Sequence, residues 1–139
     1  VTQLGEVLEF YNLKDSTHVV RIGPHGEPKF KVAEGYGIPT GIMGFCDVQV
    51  TDSAIYAVFQ GRTFKDIAEA TQRGDMTDGG WYVYVFSLEG EPLRKYELDH
   101  AIYGMFVDGQ FRTLVVVDIN KDEPMVKFCC NKEKYTLGK

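Results

Sequence analysis

The chain has 139 residues, of which 44% are hydrophobic and 25% are charged, a composition typical of one globular domain and unlike that of a disordered protein. The formal net charge is −5 and no basic run is longer than two residues, so we expect no nucleic-acid partner. No apolar run approaches the roughly 18 residues that a spanning helix needs, so we expect no membrane span.

Two short strands are predicted first in chain order. Residues 7–13 and 18–22 are rich in apolar and β-branched side chains and are separated by a turn, which favours a hairpin. Residues 23–41 follow as a polar connector rich in Gly and Pro. The chain begins with Val1 and residues 1–6 show no signal-peptide pattern, so we expect a processed or excised piece.

The clearest structural unit lies in residues 42–100. Four strands are predicted to follow one another there as an antiparallel meander, at residues 45–50, 54–59, 81–86 and 93–98. The strand at 54–59 is almost continuously apolar, as is typical of a strand that is covered on both faces. We therefore expect this strand to be covered on both faces.

A short helix is predicted in the long loop between the second and third strands of this unit. Thr63 and Asp66 have the spacing of a capping box, and apolar side chains recur at helical spacing over residues 63–72. Residues 74–80, which contain three glycines, are predicted to close this insertion as a flexible segment.

The four-strand pattern recurs after residue 100, with strands predicted at residues 102–107, 113–117, 125–129 and 134–137. A period of about 40 residues with four strands per unit is the signature of a β-propeller. We therefore predict an all-β fold, a partial β-propeller of four-stranded antiparallel meander blades with one short helix. It is one domain with a half blade at 1–22, a connector at 23–41 and blades at 42–100 and 101–139.

Two structural motifs give the chain a family resemblance. One is the Gly-Arg-Thr turn at residues 61–63, and the other is a hairpin in which Val85-Phe86 precedes Gly90, Pro92 and Leu93. With these motifs, residues 40–130 resemble the C-terminal part of the TolB-like six-bladed propeller proteins. The resemblance implies a six-bladed ring, often in an exported bacterial protein at the periplasm or cell surface, and it implies no catalytic residue.

A ring needs about four to eight blades, so a chain of about two and a half blades does not close one alone. We expect the remaining blades to come from another copy of the chain or from a longer parent chain. The inner strands would line the central channel of such a ring, and their polar side chains are candidate ligand-binding residues. These are Asp47, Gln49 and Tyr103, with Asp108 beside them.

Two further candidates lie outside the inner strands. His100 follows Asp99 and can form a proton-transfer pair with it, although adjacent side chains on an extended strand point apart. Arg62 follows Gly61, which is expected to adopt a positive φ. Its guanidinium can tie the loop to a neighbouring blade or bind a carboxylate ligand, and we favour the structural role.

No cofactor, metal or catalytic residue is predicted. Residues 118–123 alternate oxygen ligands as a calcium loop does, but Glu123 stands where that loop needs Gly, so we expect a solvated loop. Cys46, Cys129 and Cys130 lack the paired spacing of a zinc site, and we expect small, buried thiols.

The sequence leaves three functions open. The favoured one is a non-catalytic binding or scaffold module for a protein, a peptide or a glycan, since blades present loops for recognition. A hydrolase or lyase acting in the central channel is the first alternative. The second is a structural half-ring that assembles with another copy, because uncovered sheet edges are templates for pairing.

Overall fold

The computed structural model describes residues 1–75, 79–110 and 113–129. Within these ranges the chain consists of antiparallel sheets of two, two, four and three strands, with one short helix. The predicted all-β fold of a partial propeller is thereby confirmed. None of the helical structure in these ranges is both long and apolar enough to cross a membrane.

The chain opens with the predicted hairpin, formed by β1 (Val7–Tyr11) and β2 (His18–Ile22). A second hairpin follows, formed by β3 (Phe30–Ala33) and β4 (Tyr36–Pro39), inside the segment predicted to be a polar, turn-rich connector. The two residues that join β3 to β4 both have positive φ, which matches the right-handed twist of a tight hairpin.

The second hairpin is absent from the sequence prediction because it has no buried face. Phe30, Val32 and Tyr36 are 61%, 71% and 75% exposed, so the hairpin lacks the alternation of buried apolar and exposed polar residues that identifies a half-buried strand. The hairpin is held by backbone pairing between β3 and β4 and by its tight turn, and not by burial of side chains in the core.

The four-stranded meander is present as predicted, with strand order β5-β6-β7-β8. Its strands are β5 (Phe45–Val50), β6 (Ile55–Phe59), β7 (Gly80–Phe86) and β8 (Pro92–Ile102). The last strand runs beyond the predicted end at residue 98 and includes Ile102, which was expected to begin the next unit. The pairing of Gly80 with Ile102 across the sheet accounts for the extra length.

The last sheet contains three strands, β9 (Gly104–Asp108), β10 (Thr113–Val117) and β11 (Met125–Cys129), paired in that order. They correspond to the first three strands of the predicted final blade. The fourth strand predicted at residues 134–137 lies outside the described residues. The exact division into blades and connector stays a prediction.

Helix α1 (Phe64–Gln72) occupies the insertion between β6 and β7, and its predicted capping box is confirmed. The hydroxyl of Thr63 accepts a hydrogen bond from the Asp66 backbone N–H at 3.1 Å, and the Asp66 carboxylate accepts one from the Thr63 N–H at 2.8 Å. These two bonds satisfy backbone donors that the first turn of a helix leaves without intrahelical partners.

The central sheet buries both of its faces. Alternate side chains of β6 divide between them, with Ala57 and Phe59 on one face and Val58 on the other. The first face packs against the β1–β2 hairpin, with a core of Leu8, Phe45, Ile55, Ala57, Phe59 and Phe86. The second face packs against the β9–β11 sheet, with a core of Val58, Val83, Leu98, Ile102 and Val116.

Cys46 differs from its prediction. The sequence predicts a buried thiol, whereas the structure places this residue on the exposed surface of β5. The register of the β5–β6 pair shifts between Phe45 and Asp47, so Cys46 lies at an irregularity in the ladder and leaves the regular alternation of faces. Cys130 lies outside the described residues, as does the side chain of Cys129.

Candidate functional site

The polar side chains of the inner strand β5 bind the backbone of the next sheet. The Asp47 carboxylate accepts a hydrogen bond from the Met105 N–H at 2.8 Å. The Gln49 side chain forms two bonds with Val107, accepting from its N–H at 2.7 Å and donating to its carbonyl at 3.2 Å. These candidate ligand-binding residues thus connect β5 to β9, and ligand binding by them stays a prediction.

Tyr103 lies beside a small cavity of about 140 Å³ at the end of β5. The residue is 53% exposed, and its backbone N–H donates to the Val117 carbonyl at 2.9 Å, which ties the link between β8 and β9 to the end of β10. The cavity is also lined by Gln3, Gln60 and Cys46. Tyr103 is therefore the inner-strand candidate whose side chain is best placed to meet solvent.

Arg62 connects the two ends of the insertion that holds α1. Its guanidinium donates a hydrogen bond to the Gly79 carbonyl at 3.3 Å, and its own carbonyl accepts from the Met43 N–H at 2.7 Å. Gly61 has φ 73°, the positive value expected from the sequence. These contacts join the two ends of one loop rather than the loop and a neighbouring blade, and both roles considered for Arg62, the tie to a neighbouring blade and the binding of a carboxylate ligand, stay predictions.

His100 binds Asp118, a partner that adjacency in sequence does not reveal. Its Nδ1 lies 3.0 Å from the Asp118 carboxylate, while Asp99 is 3.7 Å from its Nε2 and is exposed. The Asp118 side chain is 3% exposed and also accepts hydrogen bonds from the backbone and side chain of Asn120, at 3.0 Å and 2.9 Å. The pair ties the end of β8 to the loop after β10.

The pKa of Asp118 follows from these contacts. Burial opposes ionisation and by itself raises the pKa of this carboxyl group. The hydrogen bonds from His100 and Asn120 outweigh burial, so the pKa of Asp118 lies below its ordinary value of 3.8. In the loop where the sequence showed an alternation of calcium-type ligands, the Asp118 carboxylate is thus bonded to protein donors.

Glu6 is a buried carboxylate that the sequence analysis did not identify. Its side chain is 3% exposed and accepts a hydrogen bond from the Tyr84 hydroxyl at 2.9 Å. It also lies 3.1 Å from the backbone nitrogen and 2.6 Å from Nδ1 of His25. Burial and the hydrogen bond to Glu6 both raise the pKa of Tyr84, so this phenol stays protonated as a donor.

Close packing surrounds Glu6 as well. A Cβ atom at Gly23 would overlap the Glu6 side chain, so any other residue there would have to displace that carboxylate from its place in the cluster. The partners of Glu6 lie 19 and 78 residues away in sequence, which leaves no local spacing that marks the cluster. Its effect is to hold β1, the connector after β2 and the centre of β7 together.

A groove of about 520 Å³ opens between the first hairpin and the central sheet. Its floor is apolar and aromatic, with Leu8, Phe45 and Phe86 almost fully buried and Tyr84 beside them. Ile22 of β2 and Leu93 of β8 line it and are each 54% exposed. The groove is within the range of about 300–1,000 Å³ that is typical of small-molecule sites.

Arg21 lines this groove and joins the first hairpin to the central sheet. Its guanidinium donates to the Gly90 carbonyl at 2.8 Å and forms an ion pair with Glu91, so β2 is tied to the turn between β7 and β8. Phe10 packs beside this contact with its ring 5.3 Å from that of Phe86. The width of the groove is therefore set by polar as well as apolar contacts.

Across the parts of the chain that the structure describes, no group of three or more His, Cys, Asp and Glu side chains is arranged to hold a metal ion. The carboxylates described above are instead engaged with protein donors, as Glu6, Asp47 and Asp118 show.

We expect Asp47→Ala to lower the free energy of unfolding by about 1–3 kcal/mol, because the Met105 N–H loses its acceptor at the contact between two sheets. Urea unfolding monitored by circular dichroism measures this change. Asp52→Ala, an exposed residue in the turn after the same strand, is the control and should change stability by less than about 0.5 kcal/mol. Equal stability of the two variants would contradict an inter-sheet role for Asp47.

We expect acid to remove the stabilising contribution of Asp118. Because its pKa is lower in the folded chain than in the unfolded chain, the contribution is complete above the ordinary value of 3.8 and is lost as pH falls through the folded pKa. The stability of Asp118→Asn, followed by urea unfolding, should therefore decline less steeply than that of the wild type below about pH 4. Asp122→Asn, an exposed loop residue, should retain the wild-type slope.

Comparison with known proteins identifies the family to which the chain belongs. The search of curated proteins returns no match, and the search of solved structures returns none either. The model of the family described as TolB-like 6-blade propeller-like matches residues 1–110, a range that begins before the resemblance noted in the sequence and includes the first hairpin and the central sheet. The chain belongs to the TolB-like 6-blade propeller-like family.

Proposed function

We propose that the chain is a non-catalytic β-propeller module that binds or scaffolds another molecule. Family membership supports a propeller module, and the groove between the first hairpin and the central sheet supports binding. Protein, peptide and glycan ligands are the classes expected from the sequence. The six-bladed ring and a bacterial, exported setting belong to this proposal through the resemblance to the family.

The groove is the observation that carries the proposal. Two packed units of the fold form it, and its floor is built from side chains of the core, so it exists without rearrangement. Preformed concave sites with apolar walls and few polar groups are typical of ligand binding. Leu93 and Ile22 leave apolar surface at its margins for a partner to cover.

The inner strands give less support to the alternative of a hydrolase or lyase. A group that acts on a substrate must be free to reach it, whereas the side chains of Asp47 and Gln49 are bonded to the backbone of β9. Their hydrogen bonds favour a role in joining blades. This contact supports placing ligand recognition in the groove and outside the channel.

The binding role is tested by ligand-observed NMR against panels of short peptides, oligosaccharides and small amphiphiles. We expect at least one saturable ligand, recovered chemically unchanged after incubation. Ile22→Trp should weaken its binding about tenfold or more by filling the groove margin, while Ile119→Trp, at another exposed isoleucine, should leave it unchanged. Cleavage of the recovered ligand, or failure of every panel member to bind, would overturn the proposal.

Assembly with a second copy is a further candidate, and one observation favours it. Val48 and Val50 of the inner strand β5 are 41% and 64% exposed, and Phe106 of β9 is 57% exposed. Exposed apolar side chains on strands that would face a channel are suited to burial by another blade. A neighbouring copy can provide that blade.

Light scattering after size exclusion tests this candidate by measuring the solution mass. If copies assemble through the inner strands, the wild type is a dimer and Val50→Asp is a monomer, because the carboxylate would be buried without a partner. The control is Leu13→Asp, a substitution at a loop residue that is 94% exposed, and this variant should remain dimeric. A monomeric wild type would rule out assembly as its function.

A further inference from the structure

We propose that the groove between the first hairpin and the central sheet binds a small amphiphilic anion, with its apolar body on the aromatic floor and its charged group at Lys95. This inference rests on the proposed binding role and assigns a ligand class to it. The class follows from the shape of the groove and from the state of each charged group around it.

The floor suits the apolar body of such a ligand. Phe45 and Phe86 present aromatic side chains that are already buried in the core, and Leu8 lies between the first hairpin and the sheet. Removing apolar ligand surface from water contributes about 25 cal/mol per Å² before the cost of association. At about 520 Å³, the groove has room for a short hydrocarbon chain rather than for a folded partner.

Three of the charged side chains that line the groove already have partners. Arg21 pairs with Glu91 and donates to the Gly90 carbonyl, and its charge is balanced there. No carboxylate pairs with Arg94 among the described residues, but its guanidinium donates to the Tyr96 hydroxyl at 3.4 Å, and Tyr96 packs against the core on the second face of the central sheet, opposite the groove floor. The Glu6 carboxylate accepts from the Tyr84 hydroxyl and from His25, which leaves it buried and hydrogen-bonded.

Lys95 differs from these groups because its charge lies on the groove side of the sheet, beside the two tyrosines that pack against the first-face core. Its ammonium lies over the ring of Tyr82, 4.0 Å from the centroid, and 5.2 Å from the centroid of Tyr84. Among the described residues no carboxylate forms an ion pair with it, so the aromatic faces are the groups that its charge meets. A bound anion would therefore add the opposite charge that this position lacks.

The same contacts argue against a cationic ligand. The faces of Tyr82 and Tyr84 are the groups that attract an ammonium ion, and the chain's own ammonium already occupies them. A second cation would meet the repulsion of Lys95. Charge complementarity thus favours an anion whose apolar part reaches the floor.

Isothermal titration with decanoate, kept below its micelle concentration, tests the assignment. We expect one saturable site per chain, and we expect Lys95→Gln to weaken it about two- to fivefold, the usual effect of one partly exposed ion pair. Lys65→Gln, at an exposed lysine on α1, is the matched control and should bind as the wild type does. Decanamide, the neutral analogue, should bind the wild type and Lys95→Gln equally.

The outcomes separate this inference from the broader function. Equal decanoate affinity in the wild type and Lys95→Gln, or no saturable binding, would overturn the anion assignment. If the NMR panels still yield a ligand that Ile22→Trp excludes, the binding role stands and the ligand class is wrong. If no panel member binds either, the binding role falls as well.

Discussion

A β-sheet with two apolar faces must be covered twice, and this requirement organises the whole chain. Side chains of β6 alternate between the faces: Ile55, Ala57 and Phe59 are buried on one face, and on the other Val58 is buried and Tyr56 partly buried. The first hairpin covers one face and the three-stranded sheet covers the other. In the described part of the chain, both clusters of buried apolar residues are shared between the central sheet and a neighbour, so contacts between units hold this part of the fold, as expected of stacked blades.

The two sides of the central sheet are joined to their neighbours by different chemistry. Towards the three-stranded sheet, Asp47 and Gln49 reach across to backbone groups. Towards the first hairpin, the buried Glu6 and the Arg21 guanidinium fix the hairpin at two separate points. The groove lies on this second side, where the hairpin and the outer strand β8 are held apart around an apolar floor. Its existence follows from how the first hairpin is anchored.

The fold was largely predictable from the sequence, and the candidate site was predictable only in part. The strand β6 can be recognised from its apolar composition, and the helix cap at Thr63 from the spacing of Thr63 and Asp66. Both signals are local in the sequence. The hairpin at Phe30 was not predictable, since its exposed side chains follow no burial pattern. Glu6 and Lys95 acquire their significance from residues that are distant in sequence or from the packing of rings, neither of which a linear pattern records.

The contacts between β5 and β9 have a consequence for how such a chain can change. Asp47 and Gln49 recognise the amide and carbonyl groups of residues 105 and 107, which every amino acid except proline provides. The joint between the two units is therefore largely indifferent to the side chains on the receiving strand. A whole unit can therefore be duplicated, exchanged or grafted while these side chain-to-backbone hydrogen bonds are kept. Its loops can diverge at the same time, so a propeller lineage can acquire new recognition surfaces without changing the contact between units.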